Sequence, residues 1–100
     1  MAAVRFTPAA VRDLDGIWAY TEKRWGAGQA ANYIHEIRTV CERVAGNELP
    51  GVDAGDLRPG YRKQIAGRHV IYYRTPPMGG IDVIRILHVA MDATTRLQSG

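Results

Sequence analysis

The stretch from Gly67 to Asp92, GRHVIYYRTPPMGGIDVIRILHVAMD, constrains the fold of this chain most strongly. It contains two runs rich in Val, Ile and Tyr, which are residues that favour β-strands. A Pro-Pro-Met-Gly-Gly segment separates the runs, and its Pro and Gly residues indicate a loop longer than a two-residue turn. The sequence therefore predicts a β-hairpin.

The second arm of this hairpin is apolar on both faces. Alternation places one set of side chains on one face (Ile81, Val83, Arg85, Leu87, Val89) and a second set on the other (Asp82, Ile84, Ile86, His88). Such a strand is typical of the centre of a sheet with material packed over both faces. Arg85 then needs a partner, since a buried guanidinium without one is costly. Two interpretations stay open: an ion pair with one of the chain's own acids, or cover by another molecule.

Length and composition favour a single domain over residues 1–100. The chain has 100 residues and 46% hydrophobic content, which suits one core. It carries no apolar run near 18 residues and no signal-peptide pattern, so we expect a cytoplasmic protein without a membrane partner. The single cysteine, Cys41, lies on a predicted apolar helix face and is interpreted as a small core residue.

The positive charge is concentrated in the C-terminal half. Residues 1–57 carry six basic and eight acidic side chains, a net charge of −2, whereas residues 58–100 carry seven and two, a net charge of +5. Eleven of the thirteen basic residues are arginine, which favours bidentate contacts with carboxylate or phosphate. This distribution indicates an acidic partner, either nucleic acid or a protein segment rich in Asp and Glu.

The N-terminal half predicts a short strand and a helical hairpin. Val4–Phe6 is β-prone, and Thr7 with Pro8 is typical of a helix start. Apolar spacing then predicts a helix of about 16 to 18 residues, with one stripe that we expect to be packed: Ala10, Leu14, Ile17, Trp18, Thr21 and Trp25. After Gly26-Ala27-Gly28, a second stripe predicts a helix from about Gln29 to a stop at Gly46-Asn47.

The two helices, joined by a short linker, are expected to lie antiparallel and to cover one face of a sheet. Residues 47–60 lack an apolar period and are predicted to be a loop, whereas residues 61–65 are predicted to be a strand that leads into the hairpin. Residues 92–97 could form one helical turn after an Asp cap.

The sequence contains no local catalytic motif. The sequence has no P-loop, dinucleotide fingerprint, serine nucleophile motif or metal-spaced Cys or His pair. His35, His69 and His88 are isolated in sequence. We therefore expect no metal, no cofactor and no small-molecule ligand. Acid-base chemistry on RNA by Arg, His and Tyr needs no local motif and stays open.

Several segments, taken together, resemble a known family. They are FTPAAVRDLDGIWAY, RWGAGQAANYIHEI, LRPGYRK, GRHVIYYR and IDVIRILHVAMD, and they cover nearly the whole chain. In this order the chain resembles the ParE branch of the RelE/ParE superfamily of toxins from type II toxin-antitoxin systems. The resemblance implies an α+β fold: an N-terminal strand, an antiparallel helical hairpin packed on a small, mainly antiparallel sheet (β-α-α-β-β-β) and a short C-terminal helical turn.

The resemblance also implies a function and partners. The chain would be a non-enzymatic toxin that stabilises the cleaved-DNA complex of DNA gyrase. A ParD-like antitoxin with an acidic amphipathic segment would neutralise it in a hetero-oligomer. We assign contact with the target to the C-terminal strand and tail (Arg85, His88, Met91, Asp92, Arg96) and contact with the antitoxin to a second set (Arg62, Arg68, Arg85, Trp18).

Two alternatives come from the same resemblance. RelE-like toxins are ribosome-dependent mRNA interferases, and here such chemistry would use Arg62, Arg68 and Arg85 for charge stabilisation and His88 for proton transfer. The chain has no tyrosine after His88, which departs from the interferase pattern. Alternation also places His88 and Arg85 on opposite faces unless the strand bends. The other alternative is a non-toxic binding module.

Overall fold

The structure of the protein is a computed structural model, and it describes residues 3–91. The elements in chain order are β1 (Val4–Phe6), α1 (Pro8–Trp25), α2 (Ala27–Ala45), β2 (Val52–Asp53), β3 (Arg62–Ala66), β4 (His69–Arg74), β5 (Ile81–His88) and a 3-10 turn (Val89–Met91). This order confirms the predicted α+β class. The expected helical turn over residues 92–97 lies outside the described residues.

The helical hairpin has a one-residue linker. Thr7 caps α1 as predicted, with its hydroxyl oxygen 3.1 Å from the amide nitrogen of Ala10. The start of α2 predicted near Gln29 is wrong, because the helix already begins at Ala27. Gly26 adopts a φ of 91°, donates its N–H to the Glu22 carbonyl and accepts the Ala30 N–H. A residue without Cβ can thus close one helix and open the next without a longer loop.

All five strands form one sheet in the order β1-β5-β4-β3-β2. The N-terminal strand pairs parallel with β5, and all other pairs are antiparallel. The prediction that residues 47–60 are only a loop is wrong, since β2 lies within them and pairs with β3. A two-residue strand is too short to show an alternating pattern, so the sequence carried no signal for it.

Both faces of the sheet are covered, as predicted for the second arm of the hairpin, β5, which lies between β1 and β4. The helices cover one face, where Ile71 and Tyr73 of β4 join the main core. On the opposite face, Val70 and Tyr72 pack with Ala54 of the segment between β2 and β3. The alternation of β4 therefore divides its side chains between two separate apolar clusters.

A β-bulge interrupts the predicted alternation of β5. Tyr72 lies opposite Arg85 and Tyr73 lies opposite Val83, so Ile84 is an extra residue on β5. Beyond this point the predicted faces are wrong, because the bulge shifts the alternation by one residue. Ile86 joins the core under the helices, whereas Leu87 packs against the opposite cluster.

Two single-residue predictions have different outcomes. Cys41 is fully buried, and burial raises the pKa of its thiol to about 12, which confirms a core residue rather than a nucleophile. The predicted packing of Trp25 is wrong, because its side chain is 61% exposed at the last residue of α1. Trp18 is half-buried. The helical stripe thus ends one turn before the helix does.

Asp82 joins three neighbouring strands. Its carboxylate accepts hydrogen bonds from Arg5 on β1 at 2.6 Å and from Arg74 on β4 at 3.2 Å. The hydrogen bond from Arg5 is the main cause that lowers the pKa of Asp82. Asp82 therefore links β5 to both of its neighbours, the parallel strand β1 and the antiparallel strand β4.

Neither helix within residues 3–91 is long and apolar enough to cross a membrane.

The buried position of Ile37 gives a stability prediction. Ile37 is fully buried between the helices and the sheet, whereas Ile65 is 60% exposed on β3. We expect Ile37→Ala to lower the free energy of unfolding by about 2–5 kcal/mol, because it leaves a cavity. Ile65→Ala is the matched control and should cost less than about 1 kcal/mol. Chemical denaturation measures both, and equal losses would contradict the assignment of the core.

Candidate functional site

A groove of about 840 Å³ lies between α1, the start of α2 and the C-terminal half of β5. Ile17, Tyr20 and Thr21 line it from α1, and β5 contributes residues 85–88. The turn between β3 and β4 closes one end with residues 67–69. The size is within the range of ligand sites and peptide-binding clefts.

The groove exists because β5 is longer than its neighbour. β1 pairs only with residues 81–83, so within residues 3–91 no strand covers the following residues of β5 on that side. Thr7 extends the cover by one residue, since its hydroxyl donates to the Ile84 carbonyl at 2.8 Å. Beyond Ile84 the edge of the strand is open to a side chain or to another molecule.

Asp13 on α1 caps this open edge. One carboxylate oxygen, Oδ2, accepts the Ile86 N–H at 2.9 Å and the Arg85 Nε–H at 2.8 Å. The other, Oδ1, accepts from Nη2 of Arg85 at 3.0 Å. This bidentate pair raises the pKa of Arg85, against the opposing effect of desolvation. Of the two interpretations of Arg85, the internal ion pair is confirmed.

Tyr33 and His69 form the closed end of the groove. The Tyr33 hydroxyl lies 2.6 Å from Nδ1 of His69 and accepts the Arg68 N–H at 3.0 Å. Burial raises the pKa of Tyr33, so its hydroxyl stays protonated at neutral pH. Gly67 has a φ of 59°, and a Cβ there would collide with the Tyr33 ring. Glycine at this turn therefore lets the hydroxyl approach the backbone closely.

The two histidines of the groove face each other across β4 and β5. His69 pairs with His88 in the strand register, and their rings are 5.4 Å apart in an edge-to-face arrangement. Burial is the main cause that lowers the pKa of His69, and the neighbouring His88 lowers it further. Asp13 has the opposite effect on His69. The folded state therefore disfavours a proton on His69.

The groove is positively charged and partly aromatic. Its lining contains Arg12, Arg68 and Arg85 against one acid, Asp13. At the open end, the Tyr20 and Trp25 rings meet edge to face with centroids 6.5 Å apart. Arg24 lies over both rings, at 5.5 and 5.3 Å from their centroids. A basic groove with exposed aromatic side chains suits an acidic, amphipathic ligand.

The structure brings together some of the predicted site residues. Arg68, Arg85, His88 and Met91 all line the groove. The register is regular from Arg85 to His88, so the two residues lie on opposite faces of β5, as expected. Both nevertheless line the groove, because the Arg85 side chain reaches Asp13 on α1 at the open edge of the strand.

The other predicted residues lie elsewhere. Arg62 donates to the carbonyls of Pro50 and Gly51, at 2.9 and 3.4 Å, and holds the chain after α2. Trp18 lines a separate crevice of about 200 Å³ between α1 and α2. Asp92 and Arg96 lie outside the described residues.

Asp13, Tyr33 and His69 belong to the site but were absent from the predicted sets. His69 carried a usable signal, because pairing the arms of the hairpin places it near His88. Asp13 and Tyr33 carried none, since helical periodicity gives a face but not the strand edge that it meets. Within residues 3–91 there is no group of three or more His, Cys, Asp or Glu side chains that could hold a metal ion.

A family profile and the similar proteins of known family all indicate one family. A family profile described as "ParE toxin of type II toxin-antitoxin system, parDE" matches residues 4–93. Toxin ParE1 of Mycobacterium tuberculosis is 43% identical over 91 residues, which cover 91% of this chain and 93% of the relative. Toxin ParE1 of Caulobacter vibrioides is 41% identical over 99 residues, covering 97% and 99%.

The fold also has a solved counterpart. A chain of the "Chromosomal ParDE TA system from P. aeruginosa" superposes with a TM-score of 0.74 over 89% of this chain and 97% of that one. The two sequences are 21% identical, so this likeness concerns the fold.

The cap on the β5 edge can be tested by mutation. Asp13→Ala leaves the part-buried Ile86 N–H and the Arg85 guanidinium without this acceptor, and should lower the free energy of unfolding by about 1–3 kcal/mol. Asp13→Asn retains an oxygen for Ile86 and should cost less. Asp15→Ala, at an exposed position on the same helix, is the control and should change it by less than about 0.5 kcal/mol. A loss for Asp13→Ala no larger than the control's would contradict the cap.

The lowered pKa of His69 predicts a pH dependence. The unfolded chain binds a proton at about pH 6.5, whereas folded His69 binds one only at lower pH. The stabilisation is therefore complete above pH 6.5 and is lost as the pH falls toward the folded pKa. Unfolding free energies at pH 7.5 and 5.5 should differ more in the unsubstituted protein than in His69→Asn. His35→Asn, at an exposed position on α2, is the control; equal pH dependence in all three proteins would refute the assignment.

Proposed function

The chain belongs to the ParE toxin family of type II toxin-antitoxin systems, and on this basis we propose that it arrests growth by stabilising the cleaved-DNA complex of DNA gyrase. We further propose that an antitoxin of the ParD type neutralises it. Family membership over nearly the whole described chain carries this proposal. The arrangement of the groove supports it.

We assign the antitoxin to the groove. The three lining arginines complement an acidic segment, and the exposed side chains of Trp25 and Met91 offer apolar contacts at the rim. Arg85 is held by Asp13, yet 48% of its side chain remains exposed. A guanidinium that is already oriented loses little side-chain entropy when a second carboxylate approaches. Arg68, exposed at the turn, would meet the same segment.

The proposed antitoxin contacts beyond the groove require a partner that wraps around the chain. Trp18 lies in the separate crevice between the helices, and Arg62 lies at the end of β3 beside the loop after α2. A single helix in the groove would not reach both. Contact with all four assigned residues therefore implies an extended segment that crosses more than one face.

We assign the toxic contact to the end of β5 and the residues that follow. His88 and Met91 line the groove, and the proposed contribution of Asp92 and Arg96 continues the chain beyond the described residues. This placement offers a simple mechanism of neutralisation. An antitoxin segment in the groove would cover the same side chains that touch the target, so the two partners would exclude one another.

RNA cleavage is a second candidate because a specific feature favours it. Arg68, Arg85, His69 and His88 line one groove, which combines positive charge with two groups that can transfer protons. Arg62 does not line this groove, which removes one member of the predicted interferase set. The lack of a tyrosine after His88 also favours the gyrase proposal.

The two candidates separate in a cell-free assay. We expect the purified chain to make gyrase accumulate cleaved DNA, and we expect an equimolar ParD-like antitoxin to abolish the effect. His88→Ala should weaken the accumulation by about tenfold, as for the loss of one central contact. Arg74→Ala is the control, since Arg74 is exposed and pairs with Asp82 outside the groove; it should retain activity within about twofold.

Each other outcome selects a different function. Unaffected gyrase, together with mRNA cleavage on translating ribosomes, would replace the gyrase proposal with the interferase. Normal growth of cells that express the folded chain without antitoxin would favour a non-toxic binding module. Circular dichroism of each variant distinguishes lost contact from lost folding.

A further inference from the structure

Two hydrogen bonds hold the 3-10 turn that follows β5. The Val89 N–H donates to the Arg68 carbonyl at 2.9 Å, which joins the turn to the connection between β3 and β4. The Ala90 N–H donates to Nδ1 of His88 at 3.1 Å. The second bond has the form of an Asx turn, in which a side chain accepts the N–H two residues further along.

The bond to Ala90 defines the protonation state of His88. A backbone N–H can only donate, so the nitrogen that accepts it must carry a free lone pair. His88 is therefore neutral in this arrangement, with its proton on Nε2. A protonated imidazole has two N–H donors and no acceptor, so protonation of His88 and this hydrogen bond are mutually exclusive.

His69 is held neutral in a similar way. The Tyr33 hydroxyl accepts the Arg68 N–H, and its own proton can go to His69 at 2.6 Å or to the Ala66 carbonyl at 3.5 Å. The shorter contact is the stronger hydrogen bond, so the hydroxyl donates to Nδ1 of His69. Protonation of His69 would force Tyr33 to turn its hydroxyl proton toward Ala66.

We propose that His69 and His88 form a proton-sensitive latch: with both rings neutral it holds the turn Val89–Met91 closed, and protonation of His88 releases Ala90 and opens the turn. His69 belongs to the latch because its ring lies beside that of His88. With the rings 5.4 Å apart, a proton on one disfavours a proton on the other.

The charges around the two rings come from every element that packs against them. They are Arg12 and Asp13 of α1, Tyr33 of α2, Arg68 of the turn between β3 and β4, and Arg85 of β5; Glu36 of α2 acts on Tyr33. Asp13, the acid that lines the groove, is already bound to Arg85. Asp13 nevertheless favours a proton on His69, whereas burial and His88 oppose one. Because the bond to Ala90 needs an unprotonated Nδ1, the latch opens when His88 gains a proton.

The latch forms part of the lining of the groove. Met91 lines the groove from the 3-10 turn, so release of Ala90 changes the wall that a ligand would meet. Acid would thus weaken binding of the antitoxin; this consequence, unlike the latch itself, rests on the proposed function.

Nuclear magnetic resonance of the free chain tests the latch. The readouts are the ring nitrogens of His88 and the hydrogen-exchange protection of the Ala90 amide, corrected for intrinsic exchange, between pH 7.5 and 5.5. We expect Ala90 protection to fall by about tenfold as His88 gains its proton, because one hydrogen bond of this kind is lost. The Ile71 amide in the central strand β4 should keep its protection throughout.

A matched pair of variants isolates the titration. In His88→Asn, Oδ1 replaces Nδ1 as acceptor for the Ala90 N–H but does not titrate, so protection should stay within about twofold across the pH range. His88→Ala should leave Ala90 unprotected at both pH values. His35→Asn, exposed on α2, should behave like the unsubstituted protein.

Three results would overturn the latch. They are Ala90 protection that persists while His88 titrates, a pH-dependent loss that persists in His88→Asn, and a simultaneous loss at Ala90 and Ile71 that indicates global unfolding. None of these readouts involves gyrase or an antitoxin, so failure of the proposed function would leave them unchanged. The dependent consequence is tested separately by antitoxin affinity at the two pH values, which should differ in the unsubstituted protein and not in His88→Asn.

Discussion

The Asp13 carboxylate is the contact on which the functional part of this structure depends. It neutralises Arg85, satisfies the backbone of Ile86 and ties α1 to a stretch of β5 that β1 does not cover. Without it, an open sheet edge and a positive charge would both face the same groove. One carboxylate on a helix thus closes the sheet and orients the groove's central cation.

The bulge at Ile84 determines which residues of β5 lie opposite those of β4. Without the bulge, the register that pairs Arg74 with Asp82 and Tyr73 with Val83 would place Leu87 opposite His69. The extra residue shifts the register by one, so that His88 lies beside His69. Bulges often re-aim side chains next to functional sites, and this one brings together the two histidines of the groove.

The groove combines apolar lining with positive charge. Its walls are partly apolar and its charge is positive, so it fits an acidic amphipathic segment better than a purely polar ligand. Its lining also includes two histidines, whose Nδ1 atoms contact the Tyr33 hydroxyl and the Ala90 N–H. Under the proposed function, this one surface would bind both the target and the antitoxin, and it would also contain the two histidines of the proposed latch.

The sequence by itself determined the α+β class, the helical hairpin, the Thr7 cap and the central β-hairpin, because periodicity, caps and turn residues act over a few neighbouring positions. It also identified Arg85 as a residue in need of a partner. Only the tertiary structure decided that the partner is Asp13, that Trp25 is exposed, and that Tyr33 and His69 join His88 in one groove. The physical reason is that a bulge and an open strand edge depend on which distant segments pack together, and the local residue pattern does not encode that pairing.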